Sequence, residues 1–452
     1  MADRRRLTGW GRTAPSAASV REVAADQVAG AVRSAPERGV IVRGLGRSYG
    51  DAAQNAGGLV LELPRDTTGI HLDPDAGTAT VAAGVSLDDV MRALIPRGWF
   101  VPVTPGTRYV SVGGALATDI HGKNHHRVGS FGAHVRSVDL VDGRGQLRVL
   151  SAETSPREFW ATVGGMGLTG AITSTTFSVL PVETASMRVD TDRVSDLDSL
   201  LDLMATTDDR YTYSVAWIDL LATGRTLGRS VLTRGEHARL DELPAAARSA
   251  PLDFGPKVRV GAPPIVPRGL MNPLTVRAFN EMWFRKAPRR RRDEIQPLAG
   301  FFHPLDGVAG WNRMYGSTGF VQYQFVVPDG AESVMRTAVA RIAEAGHASF
   351  LAVLKRFGPG NPGVLSFPMA GWTLALDLPA SNRLVPLLDG LDELVLDAGG
   401  RTYLAKDSRS TAATIAAMYP RLDELRDVRR ALDPDGVFVS DLARRLDLTG
   451  ES

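Results

Sequence analysis

With 452 residues, the chain is too long for one ordinary hydrophobic core, which predicts two domains. Hydrophobic residues make up 44% of it and charged residues 23%, as in globular proteins, and the net charge of +2 gives no field that would favour nucleic acid as a partner. Because the chain contains no cysteine, disulfides, iron–sulfur clusters and a thiol nucleophile are excluded.

The N-terminal segment carries no pattern typical of export or membrane insertion. Residues 1–6 are basic, but no apolar segment follows them, so we expect no signal peptide. No stretch approaches the ~18 apolar residues that a membrane-spanning helix needs. We therefore expect a protein that is cytoplasmic or peripheral at the cell envelope. Residues 17–32 mix charged side chains with Ala and Val, which indicates an amphipathic helix.

The first part of the chain is predicted to be an α+β domain of short strands and glycine turns. Ser86 and Asp89 resemble a capping box that opens a helix running to Ile95, with Gly98 beyond it as a stop. Runs rich in β-branched residues and bounded by turn residues indicate strands at 40–42, 59–63, 78–81, 135–141, 146–150 and 171–179.

The sequence changes in character near residue 184, where we place a domain boundary. Beyond it, regular helices are predicted over 332–344 and 382–397, the latter ended by Gly399. Residues 250–297 carry many prolines and the basic run 285–292, which indicates a mobile loop or lid.

Three segments are rich in glycine. The first glycine loop, residues 43–51, follows a predicted strand, and its closely spaced glycines allow backbone N–H groups to bind phosphate oxygens. Its third glycine comes one residue too late for a Rossmann fingerprint, and no helical pattern follows it. An ordinary turn remains the alternative for this loop taken alone.

The second glycine segment, residues 111–122, and the third glycine cluster, residues 164–170, consist mostly of small residues. A flat ring system can lie against backbone of this kind, and Gly106 in a preceding turn adds to the same surface. We expect the three stretches to converge and to hold a dinucleotide.

The three glycine-rich stretches resemble the FAD-binding domain of the vanillyl-alcohol oxidase superfamily. Within it, the residues at 119–126, 322–325, 354–358 and 405–409 are similar to the decaprenylphosphoryl-β-D-ribose oxidase family, and the likeness runs from residue 7 to residue 446. The resemblance implies an α+β fold in which residues 1–184 and 401–452 form the FAD-binding domain. Residues 185–400 would form an inserted substrate domain, or cap, built on an antiparallel sheet.

The resemblance also implies which residues contact FAD. Many relatives attach FAD to a histidine of the first glycine loop, but Arg47 stands there in this chain, which implies non-covalent FAD. The positions that match cofactor contacts are Arg43, Gly44, Leu45, Gly46, Arg47, Ser48, Tyr49, Gly50, Asp51, Gly106, Ser111, Val112, Gly113, Gly114, Thr118, Asp119, Ile120, His121, Ile172 and Tyr403.

Oxidation of an alcohol by a flavin needs a hydride acceptor, which the cofactor supplies, and groups that orient the hydroxyl and take its proton. Lys406 is the first catalytic candidate, as a cation that stabilises charge on the reduced flavin; the alternative is a solvated lysine at a strand end. His121 and Tyr49 are candidates for aligning or deprotonating the hydroxyl, although a structural histidine is the more common case. The neighbouring His125 and His126 lack a carboxylate or cysteine in register, and we expect no metal.

Substrate contacts are expected on the cap. Gln322 and Gln324 lie on one face of a predicted strand, where their amides suit sugar hydroxyls, and Lys355 suits a phosphate. A half-exposed strand is the alternative. Together with matches to the family, the substrate-binding candidates are Lys123, Trp217, Phe302, Gln322, Gln324, Lys355 and Thr373. Thr373, Ala375 and Val215 depart from the Asn, Cys and Ser of mycobacterial relatives, so the resemblance carries over the reaction type and the flavin-binding residues but not the full lining of the substrate pocket.

The resemblance implies oxidation of the 2′-hydroxyl of decaprenylphosphoryl-β-D-ribose, or a related lipid-linked pentose, to the 2′-keto compound. This reaction is the first half of epimerisation to the arabinose for cell-wall arabinan, and an NAD(P)H-dependent short-chain reductase subunit would complete it. The alternatives are a flavin oxidase of a free polyol, sugar or aldonolactone, and a non-catalytic basic surface-binding module. Trp283 beside the basic run at 285–292 indicates peripheral membrane contact or, alternatively, a solvated loop.

Overall fold

The computed structural model describes residues 3–256, 260–262, 272–347 and 349–450. It has the α+β architecture expected from the sequence, with helices packed on two larger sheets and on a smaller four-stranded one. Among the described residues, no helix is both long and apolar enough to cross a bilayer.

The N-terminal part contains the first two sheets. The four-stranded sheet is mixed and has the spatial order Asp3–Leu7, Ser16–Glu22, Leu59–Glu62, Val40–Arg43. The five-stranded sheet is antiparallel, in the order Ile70–Asp73, Thr78–Ala82, Ala171–Ser178, Val135–Val141, Leu147–Leu150. The α-helices of this part are Val28–Arg33, Leu87–Leu94, Val112–Ala117, His125–Val128 and Pro156–Thr162.

The helix expected over residues 17–32 is wrong for its first half. Residues Ser16–Glu22 form a strand because they pair on both sides, antiparallel with Asp3–Leu7 and parallel with Leu59–Glu62. Ala18 and Val20 alternate into the core, as a half-buried strand requires. By contrast, the helix predicted after Ser86 is confirmed. It spans Leu87–Leu94, and the Ser86 Oγ caps it by accepting a hydrogen bond from the Asp89 N–H at 3.1 Å.

The third sheet has eight strands and is antiparallel within the described residues. Its spatial order is Arg290–Pro297, Ser186–Val194, Ser230–His237, Tyr213–Ile218, Ala352–Phe357, Gly371–Pro379, Phe320–Pro328, Arg401–Thr402. Short pairs join Leu180–Pro181 to Trp99–Phe100 and Val260–Gly261 to Val308–Ala309. Helices of the same part are Leu197–Thr207, Pro273–Lys286, Leu298–Phe302, Glu332–Ala345 and Leu384–Asp397, and Ala412–Met418, Leu422–Leu432 and Asp441–Arg445 complete the chain.

The strand Gly371–Pro379 shows how this sheet positions side chains for a site. Eight of its nine residues are buried, and period-two alternation directs the even-numbered Trp372, Leu374, Leu376 and Leu378 into the hydrophobic core. The odd-numbered residues, including Thr373 and Asp377, therefore lie on the opposite face. Pairing places Asp377 opposite Gln322 of the neighbouring strand.

Regular structure replaces part of the mobile loop expected over residues 250–297. Pro273–Lys286 is a helix whose first turn is capped by Asn272, and Arg290–Pro297 pairs with Ser186–Val194. The strand is held by ion pairs, among them Arg292 to Asp192 at 2.6 Å. Residues 257–259 and 263–271 of the expected loop lie outside the described residues. The division of the chain at residues 184 and 400 stays a prediction.

Candidate active site

The first glycine loop and the second glycine segment meet directly. A Cβ atom at Gly44 would lie 2.0 Å from the Ser111 Oγ, so a side chain here would force the two segments apart. Ser111 also accepts a hydrogen bond from the Gly114 N–H and caps the helix that follows it. The first glycine loop is further tied to the C-terminal part of the chain, since the Tyr49 N–H donates to the Ala405 carbonyl at 2.9 Å.

The third glycine cluster packs against the second glycine segment. The Gly164 N–H donates to the Leu116 carbonyl at 3.0 Å, and the Met166 N–H donates to the Ala117 carbonyl at 2.8 Å. Gly164 has a φ of +74°, a conformation that favours glycine. All three glycine-rich stretches are thus in contact, as the sequence leads us to expect.

The side of these segments that faces away from the core is accessible and poor in side chains. Residues 44–48 and Gly106 are exposed or half-buried, and a Cβ atom at Gly106 would meet nothing within 4 Å. Gly113 and Gly114 are also half-buried, whereas Val112 beside them is fully buried. Accessible backbone N–H groups suit pyrophosphate oxygens, and the small residues leave room for a flat ring. These residues therefore fit FAD.

The basic side chains of the first glycine loop stabilise the loop itself. Arg43 donates to the Thr8 carbonyl at 2.8 Å, and Arg47 donates to the Tyr109 carbonyl at 3.1 Å. The Arg47 guanidinium also lies 3.9 Å from the centre of the Trp10 ring. Burial lowers the pKa of both guanidinium groups. These contacts shape the loop and leave its backbone to meet a cofactor.

The two acidic residues of the cofactor set also have partners within the protein. Asp51 forms a bidentate ion pair with Arg445, with distances of 2.8 and 2.9 Å, which joins the first glycine loop to the last helix. Asp119 is fully buried with a φ of +42°, and it accepts from the Ser130 Oγ at 2.7 Å and the Gly132 N–H at 2.8 Å. Sequence reasoning did not identify Arg445, because its distance from Asp51 along the chain hides the pairing.

The remaining predicted cofactor positions line or support the same segments. The Tyr403 hydroxyl donates to the Thr118 carbonyl at 2.7 Å, and its ring stacks on Phe367 with centres 4.7 Å apart. Ile120 and Ile172 are buried in the core below. Because the Tyr403 N–H also donates to the Gln324 carbonyl at 3.0 Å, Tyr403 connects the eight-stranded sheet to the second glycine segment.

Three lysines, which we call the lysine cluster (Lys123, Lys355 and Lys406), lie beside the glycine-rich segments. Burial lowers the pKa of Lys123 and of Lys355 to about 7, and for Lys355 the charges of the other two lysines add to the effect. Burial also lowers the pKa of Lys406 to about 8. The Lys406 Nζ lies 4.0 Å from the centre of the Tyr49 ring, and Lys123 donates to the Phe301 carbonyl. Close like charges of this kind favour binding of an anion.

His121 connects the lysine cluster to Gln324 on the eight-stranded sheet. Its Nδ1 lies 2.9 Å from the Lys355 Nζ, and its Nε2 lies 3.0 Å from the Gln324 Nε2. Burial first, and then the charge of Lys355, hold its pKa well below the usual value, so the ring is neutral at pH 7. Gln324 also donates to the Thr373 Oγ1 at 3.3 Å, which places four of the predicted site residues, Lys355, His121, Gln324 and Thr373, in one hydrogen-bonded group.

Asp377 is a site residue that sequence reasoning missed. Its side chain is fully buried, Gln322 donates to its Oδ1, and within the described residues its Oδ2 has no hydrogen-bond partner. Burial raises its pKa to about 7, and its charge raises the pKa of Lys406. Alternation along the strand puts Asp377 on the same face as Thr373, but only the pairing with the strand that carries Gln322 shows that this face meets the site.

The other predicted substrate contacts have different surroundings. The Trp217 Nε1 donates to the Phe350 carbonyl at 3.1 Å, and the Thr373 Oγ1 donates to the Phe325 carbonyl at 2.8 Å. Phe302 packs in the aromatic core, 4.9 Å from the Tyr213 ring, and only 2% of it is exposed. Its role as a substrate contact stays a prediction.

An open cradle of backbone groups suits a redox dinucleotide, and the neighbouring neutral histidine and partly protonated lysines can hold a hydroxyl and move its proton. The protein is an FAD-dependent oxidoreductase. A family model described as an FAD binding domain matches residues 17–151, and one described as D-arabinono-1,4-lactone oxidase matches residues 384–446. The predicted cofactor and enzyme class are thereby confirmed.

Similar proteins define the family more narrowly. The chain is 48% identical over 450 residues to the decaprenylphosphoryl-β-D-ribose oxidase of Mycolicibacterium smegmatis, with 98% of each chain covered. It therefore belongs to the decaprenylphosphoryl-β-D-ribose oxidase family, as the sequence motifs predict. An uncharacterized protein of Streptomyces coelicolor is 43% identical over 374 residues, 80% of this chain and 100% of its own. An alditol oxidase from a Streptomyces species is 27% identical, with 89% of each chain covered.

Proposed function

We propose that the protein oxidises the 2′-hydroxyl of decaprenylphosphoryl-β-D-ribose, or a closely related polyprenylphosphoryl pentose, to the 2′-keto compound. The observation that carries the proposal is the lysine cluster beside the FAD cradle. A polyprenylphosphoryl sugar brings one phosphodiester charge and several hydroxyls, and Lys123 and Lys355 offer cations for the former. Gln322 and Gln324, on the strand Phe320–Pro328 of the same sheet as Lys355, suit the hydroxyls.

In this reaction the C2′–H bond breaks and its hydride leaves the sugar, while the 2′-hydroxyl loses a proton and the C–O bond becomes a carbonyl. FAD supplies the hydride acceptor when it is bound. Lys406, with a pKa of about 8, is mostly protonated at pH 7 and would stabilise the negative charge that develops beside it. The neutral His121, whose Nδ1 lies 2.9 Å from the Lys355 Nζ, would orient the hydroxyl and receive its proton, while Lys355 keeps its charge for the phosphate.

The chemistry also defines the surroundings and a partner. The prenyl chain keeps the substrate at a bilayer. The protein would therefore act at the surface of that bilayer, either as a cytoplasmic protein or as a peripheral protein of the cell envelope. The 2′-keto product must be reduced from the opposite face of the ring to give the arabinose epimer. An NAD(P)H-dependent short-chain reductase subunit would catalyse that step.

A second candidate is oxidation of a free alditol or aldonolactone. It is favoured by the match of residues 384–446 to the D-arabinono-1,4-lactone oxidase model and by the likeness to an alditol oxidase. A neutral polyol has no group for the lysine cluster to bind, which favours the lipid-linked substrate instead.

A substrate panel separates the two candidates. We expect purified holoenzyme to turn over farnesylphosphoryl-β-D-ribose, a short-chain form of the substrate, and to give little turnover with free ribose, xylitol or L-gulono-1,4-lactone. Lys355→Met should raise KM for the lipid-linked substrate, whereas Arg225→Met, at an exposed position outside the site and outside the basic run 285–292, should leave it unchanged. Faster turnover of xylitol or the lactone than of the phosphoryl ribose would support the second candidate and contradict the first.

A further inference from the structure

The helix Pro273–Lys286 exposes large apolar side chains on its outer surface. Leu274 is 77% exposed, Met282 57% and Trp283 41%, and these are among the largest exposed hydrophobic residues of the described chain. Leu274, Ala278 and Met282 follow each other at intervals of four and form one stripe on the helix surface, and Ala278 is also exposed. Such contiguous exposed apolar surface typically marks an interaction site.

The opposite side of the helix is firmly packed, so the exposed stripe is a built feature of the fold. Val276 and Asn280 are buried, and Asn280 donates to the Asp219 Oδ1 at 2.7 Å. The Phe279 ring meets the Phe350 ring edge-on, with centres 5.9 Å apart. The helix can therefore expose its outer side while its inner side stays packed against the neighbouring segments.

The exposed stripe continues into a strongly basic surface. Residues 273–292 contain seven basic residues and one acidic residue, Glu281. In the part of the chain that the structure describes, Lys286, Arg289 and Arg290 are exposed and form no ion pair with a carboxylate. Uncompensated positive charge beside exposed apolar side chains is the arrangement that anionic lipid surfaces attract.

We infer that this outer surface, formed by Leu274, Met282 and Trp283 with Lys286, Arg289 and Arg290, docks the protein on an anionic bilayer. The apolar side chains enter the headgroup region, where a tryptophan ring is favoured, while the cations contact lipid phosphates. We favour the bilayer over a protein partner because the prenyl chain of the proposed substrate brings the enzyme to lipid. The inference deepens the proposed function, since it rests on a substrate that is anchored in the bilayer.

Vesicle sedimentation with the holoenzyme tests the docking surface. We expect binding to vesicles of phosphatidylcholine with phosphatidylglycerol and little binding to phosphatidylcholine alone. Lys286→Ser with Arg289→Ser and Arg290→Ser should weaken binding about 100-fold, at roughly fivefold for each basic residue removed. Met282→Ser with Trp283→Ser should also weaken it.

A matched control uses Leu147 and Val149, which are each 64% exposed but lie on a strand outside the basic run. Leu147→Ser with Val149→Ser removes similar exposed apolar groups, but it should leave vesicle binding within about twofold of the wild-type value because these residues lie outside the docking surface. Equal binding to both kinds of vesicle, wild-type binding by both docking variants, or no vesicle binding by the wild-type protein would overturn the inference. The last result is also the one expected of a surface that serves a protein partner.

Docking and catalysis can fail separately. Both docking variants should oxidise detergent-dispersed farnesylphosphoryl-β-D-ribose at the wild-type rate, because the mutated residues lie outside the active site. Vesicle binding without turnover of any polyprenylphosphoryl pentose would contradict the proposed function and leave the docking surface standing. Turnover of the lipid-linked substrate, with vesicle binding that the docking variants do not weaken, would contradict the docking surface and leave the proposed function standing.

Discussion

The substitution Gly44→Ala adds one methyl group where the first glycine loop meets the second glycine segment. Its Cβ atom would lie 2.0 Å from the Ser111 Oγ and 3.1 Å from the Ser111 Cβ, whereas ordinary contacts begin at 3.4 Å. The loop must therefore move by more than ~1 Å, and overpacking of this kind costs about 1–3 kcal/mol. Because Gly44 is exposed, the free protein can relax by moving the loop outward. FAD binding must reverse that movement, so we expect its Kd to rise roughly 5- to 150-fold.

Titration of FAD into deflavinated protein, followed by flavin fluorescence, measures this effect. Gly300→Ala is the matched control, since a Cβ atom there would meet nothing within 4 Å, and its Kd should not change. Combining Gly44→Ala with Ser111→Ala removes the Oγ atom and should restore most of the affinity relative to Ser111→Ala alone.

Wild-type affinity in Gly44→Ala would refute the reasoning, because it would mean that the cofactor does not require the two segments to meet. The reasoning would also be contradicted if the melting temperature of deflavinated Gly44→Ala fell as far as that of a variant with a destabilising substitution in the hydrophobic core. In that case the loop would serve the fold and not the cofactor.

Four further predictions address the site. Lys406→Ala should retain its fold by circular dichroism but lose about 10²–10³-fold in the anaerobic rate of flavin reduction, because the developing charge loses its cation; unchanged reduction would remove Lys406 from the mechanism. Arg445→Met should lower the free energy of unfolding in urea by about 3 kcal/mol, since it removes the ion pairs of two buried carboxylates, Asp51 and Asp407; a change under about 0.5 kcal/mol would show that these pairs contribute nothing. The pKa of Lys123 and of Lys355 is about 7, so their charge is present below pH 7 and lost above it. KM for the phosphoryl sugar, measured by steady-state turnover, should accordingly rise between about pH 7 and pH 9, and a flat profile would contradict a phosphate-binding role. Acid precipitation should release all FAD into the supernatant, and colour retained in the pellet would contradict non-covalent binding.

Much of the cofactor-binding cradle could be predicted from the sequence because each of its parts depends on a short stretch of neighbouring residues. The glycine-rich stretches are short and each allows close approach of backbone, so their composition alone indicates a cradle, and the structure brings all three into contact. The helix cap at Ser86 and the strand Val135–Val141 are equally local features, and both were correctly located.

What the sequence could not show depends on pairing between distant segments. Ser16–Glu22 becomes a strand because it has neighbours on both sides, which no local pattern reveals. Asp377 belongs to the site because the strand Gly371–Pro379 pairs in one particular register with the strand that carries Gln322. A register shift of one residue would point the Asp377 side chain toward the hydrophobic core instead. The link from Arg445 to Asp51 likewise appears only in three dimensions.

The central claim is that the cradle and the lysine cluster together oxidise a phosphoryl-linked ribose at C2′. It is tested most directly by mixing the holoenzyme anaerobically with farnesylphosphoryl-β-D-ribose deuterated at C2′ or at C3′ and recording the loss of flavin colour. We predict that the flavin bleaches with both, and more slowly with deuterium at C2′ only. No bleaching with either sugar, or slowing by deuterium at C3′ instead, would contradict the account.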